Sequence, residues 1–127
     1  MKFLLDTHTA IWALGFNDKL SKNAKAIIDD LSIPLFVSII SAWEIDIKIS
    51  AGKLNFTGGS AFFLEKMRSN GIEVLNIKDA YIKQVEKLPF IHRDPFDRLI
   101  IASALSEDMP IITDDTNIHR YDIPWVW

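Results

Sequence analysis

Four short apolar runs alternate with segments of helical length, and this alternation limits the chain to very few architectures. The runs are Lys2–Leu5, "IPLFVSI", "GIEVLNI" and "MPIITDD". They are rich in β-branched and aromatic residues and lack in/out polar alternation, which is the pattern of strands buried on both faces. Between them lie segments of helical length at Ser21–Leu31, Ser41–Ala51, Ser60–Asn70, Asp79–Leu88 and Pro95–Glu107. Within the first of these, Ala24, Ile27, Ile28 and Leu31 recur at the period of one helix face. Strand–helix alternation of this kind predicts crossover connections and hence an α/β fold, a parallel sheet flanked by helices on both faces. "FTGGSA" and "SNG" punctuate the chain as loops rather than linkers, so residues 1–127 are read as a single domain. That length suffices to bury roughly two-thirds of the unfolded surface.

Composition narrows the function classes. With 49% hydrophobic and 24% charged residues the chain is globular, not disordered. It has no cysteine, which removes disulfides, thiolate zinc sites and a cysteine nucleophile, and fits a reducing, cytoplasmic setting. "IPLFVSIISAW" is too short and interrupted to span a bilayer, and "MKFLLDTHTA" meets an aspartate too early for a signal peptide, so no membrane association is expected. Fourteen Lys+Arg against seventeen Asp+Glu give a net charge of −3, unlike a non-specific polyanion binder. A nucleic-acid enzyme remains compatible, because metal-binding carboxylates lower the net charge while a bound cation restores positive charge locally.

The acids fall at the ends of these elements. Asp6 closes the first strand, and Asp114 and Asp115 close the "PIIT" strand. Glu44 is expected in the first turn of the helix after "LFVSI", and Asp97 in the first turn of the helix opened by Asp94 and Pro95. In open parallel sheets, strand ends and the helix starts that follow them face one crevice.

Each acid also has a purely structural role available. Asp6 can cap "THTAIWAL"; "SAWE" spells a capping box from Ser41 to Glu44; Glu44 stands four residues before Lys48, the spacing of an exposed ion pair; and Asp114–Asn117 can be a turn. Asp94 before Pro95 is the strongest cap signal in the chain. Capping alone does not explain why all these carboxylates lie at the same sheet edge. Four of them in one crevice would raise one another's pKa unless a cation neutralised them. A hard divalent ion with oxygen ligands does so, and the chemistry that follows is phosphodiester hydrolysis.

"LLDTHTAIWAL", "SIISAWEIDIKISAGKL", "HRDPFDRLIIASA" and "PIITDDTNIHRYDIPWVW" resemble the PIN-domain family, and more closely the VapC-type toxins of bacterial toxin–antitoxin pairs. The likeness runs in order along nearly the whole chain. It implies a five-stranded parallel sheet, a Mg²⁺- or Mn²⁺-dependent endoribonuclease acting on RNA, a homodimer, and inhibition by a small antitoxin. The family's acidic positions match Asp6, Glu44, Asp97 and Asp115 as catalytic metal ligands. Asp115 is preferred to Asp114 because Thr113 then matches the family's hydroxyl position.

Thr7, Lys48, Asp94, Arg98 and Thr113 are candidates for supporting the ligands or touching substrate, and Asp94 is assigned the cap. Asp46, two positions from Glu44, belongs to a different helix face. His8, His92 and His119 are read as hydrogen-bonded structural residues in preference to general acids or RNA contacts. The four Trp residues and "YDIPWVW" are read as core or dimer contacts. Two rival functions follow from the same residues. Asp6 could be an aspartyl-phosphate nucleophile, although His8 stands where a haloacid-dehalogenase-like phosphatase carries its second acid. Alternatively the fold could serve as a non-catalytic interaction module, its acids acting only as caps.

Overall fold

The computed structural model describes residues 1–127. Five parallel strands, β1 (Phe3–Leu5), β2 (Leu35–Ser38), β3 (Glu73–Leu75), β4 (Ile111–Ile112) and β5 (Trp125–Val126), form one sheet in the order β3-β2-β1-β4-β5. Seven helices connect them: α1 (Thr7–Ala13), α2 (Lys22–Asp29), α3 (Ile39–Ser50), α4 (Gly59–Ser69), α5 (Asp79–Lys87), α6 (Pro95–Glu107) and α7 (Thr116–His119). A short 3₁₀ turn occupies Asn17–Lys19. The fold is the α/β layering expected from the alternation of runs.

Strand side chains divide between two apolar layers. Phe3, Leu5, Leu35, Val37 and Ile112 face a cluster closed by Ala10, Ile11, Ala24, Ala42, Ile45, Phe63 and Met67 from α1 to α4. Leu4 and Ile111 face the opposite cluster, closed by Leu88, Ile100, Ile101, Ala104 and Ile118. Because successive residues of a strand point to opposite faces, helices on both sides are required to bury such runs. No helix is long and apolar enough to cross a membrane.

Local signals set several boundaries. Ser21 caps α2 through Ala24 N–H, and Asp94 accepts from the N–H groups of Phe96 and Asp97 with Pro95 in the first helical position, so α6 begins where the sequence predicts. Two expectations are corrected. Helix α3 starts at Ile39 with Ser38 as its cap, not at Ser41, so "SAWE" is not a capping box and Glu44 lies in the second turn. "YDIPWVW" contributes β5, which pairs with β4, rather than only core or dimer contacts.

Asp46 is an exposed acid with a structural task. Its carboxylate accepts from the N–H and hydroxyl of Ser60 at the start of α4, which holds it below the usual carboxylate range. Gly59 there has φ +59°, and an added Cβ would lie 2.9 Å from Asp46 Oδ1, so glycine serves both the backbone twist and the close approach.

Candidate active site

The chain leaves β1 and continues through β2 to β3 on one side, then returns with β4 on the other side of β1. That reversal makes the carboxyl ends of β1 and β4 the switch point of the sheet, the place where open α/β sheets bind ligands. Asp6 follows β1, and Thr113 and Asp115 follow β4. Each of the two aspartates caps the helix behind it: Asp6 Oδ1 accepts from Thr9 N–H at 2.8 Å, and Asp115 Oδ1 from Asn117 N–H at 2.8 Å. The Thr113 hydroxyl bridges the two strands by donating to Asp6 Oδ2 and accepts from Asp115 N–H at 3.0 Å. Capping and site membership are therefore not alternatives for these two residues. One oxygen of each carboxylate caps a helix, while Asp6 Oδ2 meets the Thr113 hydroxyl and Asp115 Oδ2 lies toward His92.

Glu44 enters from α3 and is fully buried, at 1% exposure. Its Oε1 accepts from the Thr7 hydroxyl at 2.7 Å, and its Oε2 pairs with the Lys48 ammonium. Ser41 is hydrogen-bonded to Thr7 Oγ1 at 2.8 Å, so the residue first read as a cap instead steadies the partner of Glu44. The Glu44–Lys48 pair is not the exposed ion pair that the spacing suggests. Burial works against the Lys48 charge, but the hydrogen bond and charge of Glu44, with Asp94 and Asp97 beyond it, keep the ammonium above its usual pKa.

Asp97 joins from the first turn of α6, with its side chain only 14% exposed. Its carboxyl is pushed up to about 8, first by burial and then by the negative charges of Asp94, Glu44, Asp6 and Asp115. Those four charges act on Asp97 because all of them lie close to it in the fold. Burial raises the Asp6 carboxyl as well, against the lowering effect of its hydrogen bonds from Thr113 and Thr9. Of the adjacent pair after β4, Asp114 is exposed, whereas Asp115 is half-buried and its Oδ2 lies 3.7 Å from His92 Nε2.

The arrangement departs from the sequence reading at two residues. His92, assigned only a general structural role, belongs to the cluster: its Nε2 is hydrogen-bonded to Asp97 Oδ2 at 2.8 Å. His92, Asp94 and Asp97 each offer one ligand atom within 4.8 Å of the others. Asp94 is the less free of the two acids in this trio, since its Oδ1 already accepts two backbone N–H groups. Arg98 faces away. Its guanidinium donates to the carbonyls of Pro89 and Val85 and to the Tyr121 hydroxyl, so it meets none of the carboxylates.

The cap role of Asp94 can be measured separately from the crevice. Asp94→Ala is expected to cost about 0.5–2 kcal/mol in a denaturant melt, the usual range for a lost N-cap. An unchanged melt would assign the two N–H groups to another acceptor.

A family model described as PIN domain matches residues 3–124. No curated protein sequence matches the chain significantly. Among solved structures, the chain is similar to VapBC2 from Rickettsia felis bound to a DNA fragment from their promoter, with TM-score 0.72 at 16% identity over 99% of this chain and 98% of the other. It is similar to DNA-bound VapBC from Salmonella typhimurium, with TM-score 0.70 at 20% identity over 99% and 97%. It also resembles VapBC-1 from nontypeable Haemophilus influenzae, with TM-score 0.68 at 22% identity over 99% and 97%.

Proposed function

Because the chain belongs to the PIN domain family, we propose that it is a Mg²⁺- or Mn²⁺-dependent endoribonuclease, the toxin of a VapBC-type pair, that acts as a homodimer and is restrained by a small antitoxin. The observation that carries this reading is the convergence of Asp6, Glu44, Asp97 and Asp115, where burial first and the neighbouring carboxylates second push Asp97 up to about 8. Such crowding is costly in a protein that only folds and binds, and it is relieved by a divalent cation. The donor set is oxygen-rich and contains no sulfur, which suits Mg²⁺ or Mn²⁺. The likeness to VapBC assemblies supports the antitoxin partner.

Asp6, Glu44, Asp97 and Asp115 would hold the ion, which when bound supplies an activated water and stabilises charge developing on the phosphate. The chain's own groups prepare the site. Thr113 and Thr7 each donate to one oxygen of Asp6 and Glu44, which fixes both carboxylates and leaves lone pairs free on every oxygen. Lys48, partly exposed beside Glu44, offers a cation to the RNA phosphate. Asp94 keeps the first turn of α6 in place, so that Asp97 is presented from a rigid helix.

Purified protein is expected to cut RNA with Mg²⁺ or Mn²⁺ and to stop in excess chelator, while its far-ultraviolet circular dichroism and cooperative melt persist. The fold should survive because its two apolar clusters do not depend on the carboxylates. Equal cleavage in chelator would exclude the carboxylate–metal mechanism. A non-catalytic module would bind the antitoxin but cut nothing under either condition.

A further inference from the structure

The carboxylates come from four separate segments, and one side chain outside that set touches two of them. His92 Nε2 stands 2.8 Å from Asp97 Oδ2 and 3.7 Å from Asp115 Oδ2, on the seam between α6 and the turn after β4. The imidazole is only 14% exposed, as is the side chain of Asp97, so this contact is largely shielded from solvent.

The loop that carries His92 is held by a second group. Tyr121 is buried at 5% exposure, and its hydroxyl oxygen accepts from His92 N–H at 3.0 Å, Ile91 N–H at 3.3 Å and Arg98 Nη1 at 3.1 Å. Arg98 also donates to Pro89 and Val85 carbonyls and lies over the Phe90 ring, 5.0 Å from its centroid. One phenolic oxygen thus ties together three pieces of the site: the His92 loop, the helix bearing Asp97, and the segment that follows α7, whose cap is Asp115.

We propose that His92 is a positioning residue that sets Asp97 against Asp115, and that the Tyr121 hydroxyl fixes His92 in that place. The inference rests on the nuclease reading of the crevice. Against an ionised Asp97 the imidazole Nε2–H is the donor, and it orients one carboxylate oxygen so that the other faces the crevice. Removing a group that orients a metal ligand in this way typically costs about 10–100-fold in metal affinity or activity.

The test uses the full chain and four proteins: the parent, His92→Ala, His92→Gln and Tyr121→Phe. Mn²⁺ affinity is read by calorimetry, RNA cleavage as kcat and KM, and folding by thermal melts. His92→Ala should lose about 10–100-fold in Mn²⁺ affinity and in kcat, with KM changed little. His92→Gln places an amide N–H near the former Nε2 and should recover most of both, because the role requires a donor and not a titrating ring. Tyr121→Phe should move the same two quantities in the same direction, and combining it with His92→Ala should add nothing further. The proposal is overturned if His92→Ala binds Mn²⁺ and cleaves like the parent, or if Tyr121→Phe and His92→Ala losses simply multiply. It is overturned equally if His92→Gln is as poor as His92→Ala, since the imidazole would then be a ligand or an acid. A parent that binds no Mn²⁺ and cuts no RNA would instead refute the nuclease reading, and this inference with it.

Discussion

Asp97→Asn is expected to melt higher than the parent at neutral pH and to cleave no RNA. The carboxyl titrates near 8 in the folded protein against 3.8 for the free side chain. Between those values the folded state holds a proton that the unfolded state releases, so stability falls as pH rises from about 4 to about 8. Asparagine has no such slope. The gain over the parent should be absent below about pH 4 and reach on the order of a few kcal/mol by pH 7–8, measured in chelator by urea melts across that range. Asp6, also raised by burial, tilts the parent's profile in the same direction. A variant that is less stable than the parent at pH 7 would mean that Asp97 serves mainly as a helix-start anion.

Lys48→Met is expected to destabilise the protein by about 3 kcal/mol, because it leaves the Glu44 carboxylate in the interior without its cation. The side chain of Glu44 is 2% exposed and that of Lys48 30%, so the pair lies mostly beyond the reach of screening water. Lys25 and Asp29 provide an internal control with the same spacing. Their side chains are 47% and 58% exposed, and Lys25→Met should cost no more than about 0.5 kcal/mol. Adding Glu44→Gln to Lys48→Met should recover most of the loss, since the amide can keep the Thr7 bond without a charge. Urea melts of the two singles and the double form the cycle. Equal small losses for Lys48→Met and Lys25→Met would mean that the buried pair contributes no more than the exposed one.

Where the sequence was legible, the signal was local. Asp94 and Pro95 state the start of α6 within two residues, and the structure starts the helix there. The sequence leaves the start of α3 open because both Ser38 and Ser41 are good caps, and Ile39 and Ile40 suit a strand as well as a helix. Pairing of β2 with β1 and β3 ends the strand at Ser38 and settles the choice. Strand β5 has only two residues and exists through its ladder to β4, which no window of sequence displays. Arg98 is a candidate for the site because it follows Asp97, yet one helical residue turns a side chain by about 100°, which sends it to Tyr121 instead. His92 lies five residues before Asp97 in "HRDPFDR", and that proximity was the available clue. Its meaning depends on how the loop folds back, and a buried tyrosine far along the chain fixes that path.

The hydrogen bond from Thr113 to Asp6 joins residues 107 positions apart, across strands that are neighbours only in the finished sheet. Contacts of such long sequence range form late, after the loop between them has been closed. A chain still under synthesis therefore carries Asp6 and Glu44 long before it has Asp115 to complete the cluster. The proposed site therefore stays incomplete until the strands at the far end of the chain dock against β1.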